Sequence, residues 1–102
     1  MLRDLRPGVV VYLAHCLLDQ NTKAPGLASE KTINAADRVI ELLRGLNVGI
    51  VQMPCPEFTH LGLLRPKQTR DQYDSTAYRR HCRAIAEQLL NEIEDYHRAG
   101  VI

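Results

Sequence analysis

The sequence predicts an α/β fold in which two parallel strands alternate with two helices in the order βαβα, with a third strand starting at the end of the chain. This prediction rests on two short apolar runs, an amphipathic segment between them and a longer amphipathic segment after them. A strand, a helix and a strand at this spacing form a βαβ unit, whose strands are parallel and whose crossover is right-handed. The length indicates one small domain, residues 1–102.

The first half of the chain supplies the βαβ unit. Residues 9–13, Val-Val-Val-Tyr-Leu, form a continuous β-branched and aromatic run that is typical of a buried strand. After a loop with a Pro-Gly turn, residues 34–44 carry apolar side chains on one helical face. Thr32 is the predicted N-cap of this helix, and Gly45 is its predicted terminating glycine. Residues 48–53 are then predicted as the second buried strand.

The second half of the chain holds a long loop, a second helix and a last apolar pair. Residues 58–73 have no clean period and are predicted as a functional or mobile loop. The second helix is expected to open near Asp74 or Ser75 and to run to about Ala99. Residues 101–102 look like the start of a third strand. Because two strands and two helices make a thin core, we expect a fragment that lacks its C-terminal strand, or a chain completed by another chain.

The segment Met-Pro-Cys-Pro-Glu-Phe, residues 53–58, follows the second strand and is the strongest functional signal. Each proline lacks an N–H and restricts the residue before it, so the segment is predicted to be a stiff loop that presents Cys55 and Glu57. Cys16 follows the first strand in the same way. If the two parallel strands are neighbours, Cys16 and Cys55 share the carboxyl edge of the sheet, where ligands bind in open α/β folds.

Each candidate residue has a structural interpretation beside the functional one. Cys16 and Cys55 are either buried thiols or ligands, and Glu57 is either a solvated carboxylate or a general acid/base. His15 is a ligand, a proton carrier or a structural histidine, and the role of His60 in the long loop stays open.

The remaining cysteine, two further histidines and the cationic side chains of the long loop are not assigned to the predicted site. Cys82 falls on the apolar stripe of the second helix and is predicted to pack in the core. His81 and His97 are predicted to lie on the surface of that helix. The cationic group that contains Arg65 and Arg70 either faces an anionic ligand or is solvated.

Composition and charge exclude several classes of protein. A net charge of +1 gives no electrostatic case for binding nucleic acid or a membrane surface. The start of the chain lacks a signal peptide, and its apolar runs are far shorter than the ~20 residues of a membrane span, so we expect a cytoplasmic protein. An odd count of three cysteines without CxxC spacing argues against a disulfide framework and gives no zinc-ribbon signal.

Three pieces of the sequence match a known family pattern. They are residues 13–21, residues 52–63 with the Pro-Cys-Pro-Glu and Leu-Gly-Leu elements, and the pair 72–74 and 78–82. On these pieces the chain resembles the TudS-like desulfidase family, formerly a domain of unknown function, and within it the TudS-related desulfidase branch. The resemblance extends from about Val9 to the end of the chain.

The resemblance implies a Rossmann-like α/β fold carrying a [4Fe–4S] cluster on three cysteines, with one iron open to take sulfur from a thiolated small molecule such as a thiouracil. By motif, Cys16 and Cys55 match the first two cluster ligands, and Glu57 matches the family's acidic residue, a candidate for proton transfer. The third ligand belongs to a Ser-Pro-Ser-Cys-type segment after a third strand, which this sequence does not contain. Cys82 does not match that ligand.

Two other functions stay open on the residues alone. The first is a non-catalytic α/β module in which Cys16 and Cys55 bind zinc together with His15 or His60. The second is an interaction domain whose cysteines are only part of the core. Two thiolates make an incomplete metal site, so either metal-binding function needs a further ligand.

Overall fold

The computed structural model of the chain describes residues 4–102. These residues form a mixed α/β protein with a two-stranded parallel sheet. In chain order the strands and helices are β1 (Val10–Leu13), α1 (His15–Leu18), a 3-10 turn (Gln20–Thr22), α2 (Glu30–Gly45), β2 (Gly49–Gln52), α3 (Pro56–Leu61), α4 (Arg70–Tyr73) and α5 (Thr76–Arg98).

The two strands pair in parallel, as the sequence predicts for a βαβ unit. Val10 lies opposite Gly49, and Leu13 lies opposite Gln52, so both strands end at the same edge of the sheet. The helix between them, α2, provides the crossover connection that parallel strands require. This pairing brings together the segments that follow β1 and β2.

The last residue of the chain hydrogen-bonds to the edge of β1 that β2 leaves free. The N–H of Ile102 donates to the carbonyl of Gly8 at 2.9 Å, and the N–H of Val10 donates to the carbonyl of Ile102 at 2.8 Å. These two bonds have the pattern of a parallel pair with Ile102 opposite Val9. Within the described residues no third strand is formed, but Ile102 occupies the position where the sequence predicts one to begin.

The first long helix, α2, begins earlier than the sequence predicts because its N-cap is Ser29 rather than Thr32. The Ser29 hydroxyl accepts the N–H of Thr32 at 3.2 Å, and the Thr32 hydroxyl accepts the N–H of Ser29 at 2.9 Å. This reciprocal capping box satisfies two otherwise free N–H groups. The helix ends at Gly45, but the left-handed backbone conformation falls on Asn47, with φ of 53°.

The long helix α5 is close to its predicted position. Ser75 is its N-cap, and Gly100 takes a left-handed conformation with φ of 81° just beyond its end. The helix packs against α3, and its Glu92 accepts a hydrogen bond from the hydroxyl of Tyr12 on β1 at 3.1 Å. Among the helices of residues 4–102, α5 included, none is both long and apolar enough to cross a membrane.

Few apolar side chains are fully buried in the part of the chain that the structure describes. Those that are buried belong to β1, to the loop before α2, to α2 itself and to α4: Leu13, Ala24, Ala36 and Tyr73. By contrast, the side chains of Leu42 and Leu90 are 63% and 62% exposed. The two-stranded sheet therefore covers a thin core, and apolar surface on both long helices stays open.

Candidate functional site

The two cysteines that follow the strands line one cavity of about 300 Å³. Cys16 lies in α1, just after β1. Cys55 lies between β2 and α3, and its Sγ accepts the backbone N–H of Phe58 at 3.4 Å. Both side chains are half-buried free thiols. The parallel pairing of β1 with β2 thus places both thiols at the carboxyl edge of the sheet.

The segment predicted as a stiff loop is in part a helix. Cys55 is the N-cap of α3, Pro56 is its first residue, and Glu57 lies in its first turn. The loop prediction was wrong here because a proline is favoured at the first position of a helix, where its missing N–H costs no hydrogen bond. The Cys55 sulfur supplies the cap for one of the remaining N–H groups. The thiol and the carboxylate are consequently held by one short helix.

Arg65 is a buried cation that holds this region together. Its Nη2 donates to the carbonyl of Thr22 at 2.6 Å and lies 3.4 Å from Oε2 of Glu57, while its Nη1 donates to the carbonyl of Gly62 at 3.1 Å. Its Nε is buried without a partner. The sequence treats Arg65 as a loop cation that faces a ligand or solvent. The structure instead shows it buried, bridging the 3-10 turn, α3 and the loop that follows α3.

A second cavity, of about 220 Å³, joins the buried cation to the cysteines. Its wall includes thiol, carboxylate and cationic side chains, contributed by Cys16, Cys55, Glu57, Arg65 and Lys23. Because the two cysteines line both cavities, the thiols stand between an apolar space and a charged one. The site therefore combines soft sulfur donors, a carboxylate able to carry a proton and fixed positive charge.

Cys82 lies elsewhere than its predicted place in the core. It is half-buried on α5 and lines the 300 Å³ cavity together with Cys16 and Cys55. Its assignment to the core was wrong because the apolar stripe of α5 faces the ends of the strands at this point. Burial, followed by a hydrogen-bonding contact with the Cys82 thiol, raises the pKa of Tyr78 one turn earlier, so Tyr78 is a neutral phenol.

The structure separates the two histidines that were candidates. His15 lines the 300 Å³ cavity beside Cys16, with its Nδ1 3.3 Å from the hydroxyl of Thr22. The ring of His60 instead packs against those of Tyr78 and His81, with centroids 5.4 Å apart in each case. His60 is absent from the residues that line the cysteine cavity.

An open cleft of about 660 Å³ adjoins both cavities. Glu57 lines this cleft and the charged cavity, and Cys82 lines this cleft and the apolar cavity. Tyr73 and Tyr78, whose ring centroids are 5.0 Å apart, form part of its wall. A small molecule in the cleft therefore lies beside both the carboxylate and a cavity thiol.

The spacing of the possible ligand side chains affects which metal group they could bind. Among residues 4–102, no three side chains of His, Cys, Asp or Glu stand close enough together to hold one metal ion. This spacing disfavours a single ion such as zinc, whose ligands all contact the same atom.

Comparison with known proteins relates the chain to a longer protein. It is 34% identical over 89 residues to the uncharacterized protein MJ0003 of Methanocaldococcus jannaschii. The match covers 87% of this chain and 56% of MJ0003, so the chain spans about half the length of this curated relative. No protein-family model matches the chain, and no solved structure matches it. The printed name of MJ0003 assigns no activity.

Proposed function

We propose that this chain carries the thiol site of an iron–sulfur-dependent desulfidase that removes sulfur from a thiolated small molecule of the thiouracil class. The observation that supports this proposal is the shared cavity of Cys16 and Cys55, with Glu57 on the wall of the adjoining one. The resemblance to the TudS-like family supplies the reaction class. On this proposal, the βαβ unit is part of a Rossmann-like fold.

The donor set of the cavity fits an iron–sulfur cluster. Cys16 and Cys55 would hold it as thiolates, and the wall between them and α5 is apolar, including Met53, Ile85 and Leu89. Such a wall limits the access of water to the metal site. When bound, a cluster with an open iron supplies a Lewis acid that accepts a soft sulfur atom.

The side chains of the chain supply the proton transfers. Exchange of a thiocarbonyl sulfur for the oxygen of water breaks a C–S bond, forms a C–O bond and releases hydrogen sulfide. Both protons of the water end on the departing sulfur. On this proposal, Glu57 accepts a proton from the attacking water and returns it to the sulfur. Its position on the wall of both the open cleft and the charged cavity supports this role. Arg65 holds that carboxylate in place.

The position of Ile102 supports the placement of a third strand in the complete site. Ile102 lies opposite Val9, at the amino end of β1. A parallel strand that starts at this position runs toward the edge that carries Cys16 and Cys55. The resemblance locates a further cluster ligand after such a strand.

The experiment for the proposed reaction is a sulfide-release assay. The chain, reconstituted with iron and sulfide without oxygen, is incubated with 2-thiouracil and 4-thiouracil, and hydrogen sulfide and uracil are quantified. Equal amounts of both products, formed only by the reconstituted protein, would support the proposal. A reconstituted protein that retains its cluster and releases neither product from either substrate would overturn the desulfidase function for this class.

A zinc-binding module is the second candidate function. The observation that favours it is that His15 lines the same cavity as Cys16 and Cys55, whereas His60 does not. The spacing of the side chains counts against a single ion, as noted above. Zinc bound at one equivalent per chain, retained in the presence of iron and sulfide, would favour this function over the desulfidase.

A further inference from the structure

We propose that the hydroxyl of Tyr78 binds the substrate, donating a hydrogen bond to the sulfur atom of the thiolated molecule in the open cleft. This inference rests on the proposed function and deepens it, because it names the group that recognises the sulfur. Neither the sequence motifs nor the resemblance assigns Tyr78 a role in the site. The inference arises from its position beside Glu57 and Cys82 on the wall of the cleft.

Tyr78 stands where the open cleft meets the thiol cavity. It lines the cleft of about 660 Å³ together with Glu57 and Cys82. Its hydroxyl makes a hydrogen-bonding contact with the thiol of Cys82, one turn later on α5, and the charge of Glu57 acts on the phenol. Cys82 in turn lines the cavity that contains Cys16 and Cys55. On this proposal, a substrate whose sulfur points from the cleft toward those two thiols meets the Tyr78 hydroxyl.

The backbone and the ring of Tyr78 are both held in place. Its backbone N–H donates to the hydroxyl of Ser75, the N-cap of α5, at 3.1 Å. Its ring packs against the buried ring of Tyr73, with centroids 5.0 Å apart, and edge-to-face against His60, with centroids 5.4 Å apart. A donor that is already fixed in position needs little reorganisation when a ligand binds or reacts.

The chemistry of the reaction requires a donor at this position. A thiocarbonyl sulfur carries no proton, and it gains negative charge as water adds to the neighbouring carbon. Burial raises the pKa of Tyr78, so the phenol keeps its proton at neutral pH. Because a thiol is a weak acceptor, the phenol loses little when its hydrogen turns from Cys82 to a sulfur that is becoming an anion. The hydrogen stays on the phenol, and the proton transfers remain with Glu57.

The other strong donors on the cleft wall are arginines that are exposed to solvent: Arg70, Arg79 and Arg83. Arg79 is also paired with Asp74. Tyr78 differs from them because it is half-buried and contacts the thiol that borders both spaces. A hydrogen bond at a half-buried position competes less with water, which favours Tyr78 as the donor to the sulfur.

The test measures substrate binding by the full 102-residue chain without metal. Wild type, Tyr78→Phe and Tyr96→Phe are titrated with 4-thiouracil, and the displacement of its thiocarbonyl absorption band is recorded with the dissociation constant. Tyr78→Phe keeps the ring and removes only the hydroxyl. Tyr96 is the matched control, because it lies on the same helix, is half-buried and lines none of the three cavities. Circular dichroism reports the fold, and the reconstituted proteins are assayed for sulfide release.

We expect wild type and Tyr96→Phe to bind 4-thiouracil equally and to displace its band. Tyr78→Phe should bind about 2- to 10-fold more weakly, the loss of one neutral hydrogen bond, and should leave the band where it lies in water. In the reconstituted protein, kcat for sulfide release should fall by about 10²-fold with unchanged iron content, because the donor acts mainly on the developing charge.

The outcomes separate this inference from the function on which it rests. A folded Tyr78→Phe chain that binds as tightly as wild type, with the same band displacement, would overturn the role of Tyr78. Sulfide release by wild type would then leave the proposed function standing. A wild-type chain that does not bind 4-thiouracil would also overturn the inference. Band displacement that depends on Tyr78, in a protein that retains its cluster but releases no sulfide, would support the binding role and overturn the desulfidase function.

Discussion

The Nη2 atom of Arg65 lies 3.4 Å from Oε2 of Glu57 and 2.6 Å from the carbonyl oxygen of Thr22. The pair is asymmetric, because the Arg65 side chain is 2% exposed and that of Glu57 is 43% exposed. The cation is anchored at its buried end by the backbone of Thr22 and Gly62, independently of the carboxylate. On the proposed function, Arg65 would position the Glu57 carboxylate.

Replacing Arg65 should destabilise the fold. Arg65→Met leaves the carbonyls of Thr22 and Gly62 without their donor, at a cost of about 2 kcal/mol in the free energy of unfolding. Urea unfolding measures this. Arg70→Met is the control, because Arg70 is exposed and makes no ion pair within residues 4–102, so its change should stay within about 0.5 kcal/mol. Equal stability of the two variants would contradict the role given to Arg65.

Replacing Glu57 should separate chemistry from cluster binding. Glu57→Gln removes the proton-carrying carboxylate but keeps its size, so sulfide release should fall by about 10²- to 10⁴-fold while the iron content is unchanged. The control is Glu87→Gln, an exposed position on α5 that lines none of the three cavities. Undiminished release by Glu57→Gln would remove Glu57 from the mechanism.

Each of the two cysteines at the strand ends should be required for the cluster. Cys16→Ser and Cys55→Ser should both lose iron in anaerobic reconstitution. Because serine is a stronger N-cap than most residues, Cys55→Ser should keep α3 intact, and its iron loss will report the missing thiolate rather than a missing helix. Full iron in either serine variant would show that cluster binding does not depend on that cysteine.

The contact between β1 and α5 should make stability depend on pH in the alkaline range. Burial, with a hydrogen bond to Glu92, raises the pKa of Tyr12 from 10.0 to about 12. The folded state thus favours the protonated phenol, and this stabilisation is complete below pH about 10 and is lost as pH rises to about 12. Urea midpoints measured across this range should fall for wild type.

Tyr12→Phe has no phenol to ionise, so its urea midpoint should fall less over the same range. Glu92→Gln keeps a hydrogen-bond acceptor but removes the negative charge, and it should give an intermediate dependence. A wild type and a Tyr12→Phe variant with the same pH profile would show that this contact does not stabilise the docking of α5.

Local patterns account for the parts of the structure that the sequence predicts well. Each strand and the long helix α5 can be predicted from the residue pattern of a single continuous segment. The parallel pairing follows from the strand–helix–strand order. The N-cap of α2 was misassigned because Ser29 and Thr32 are both good caps and each bonds to the other. Only the backbone geometry distinguishes which one stands outside the helix.

The features that the sequence does not predict depend on residues far apart in the chain. The burial of Arg65 requires the carbonyl of Thr22, which no local pattern connects to it. The apolar stripe of α5 predicts that Cys82 lies on the side of the helix that packs against the protein. It does not predict that this turn of α5 packs near the ends of the strands rather than in the core. The helical start at Pro56 could have been found, since a proline after a capping residue is typical of a helix beginning.

The most direct test of the central claim, that the thiol cavity holds an iron–sulfur cluster, is metal analysis of the reconstituted chain. The wild-type protein is reconstituted with iron and sulfide without oxygen, separated from unbound metal, and analysed for iron, acid-labile sulfide and zinc. We predict iron and sulfide in equal amounts, consistent with one cluster per chain, and little zinc. Zinc without iron, or no metal at all, would contradict the claim.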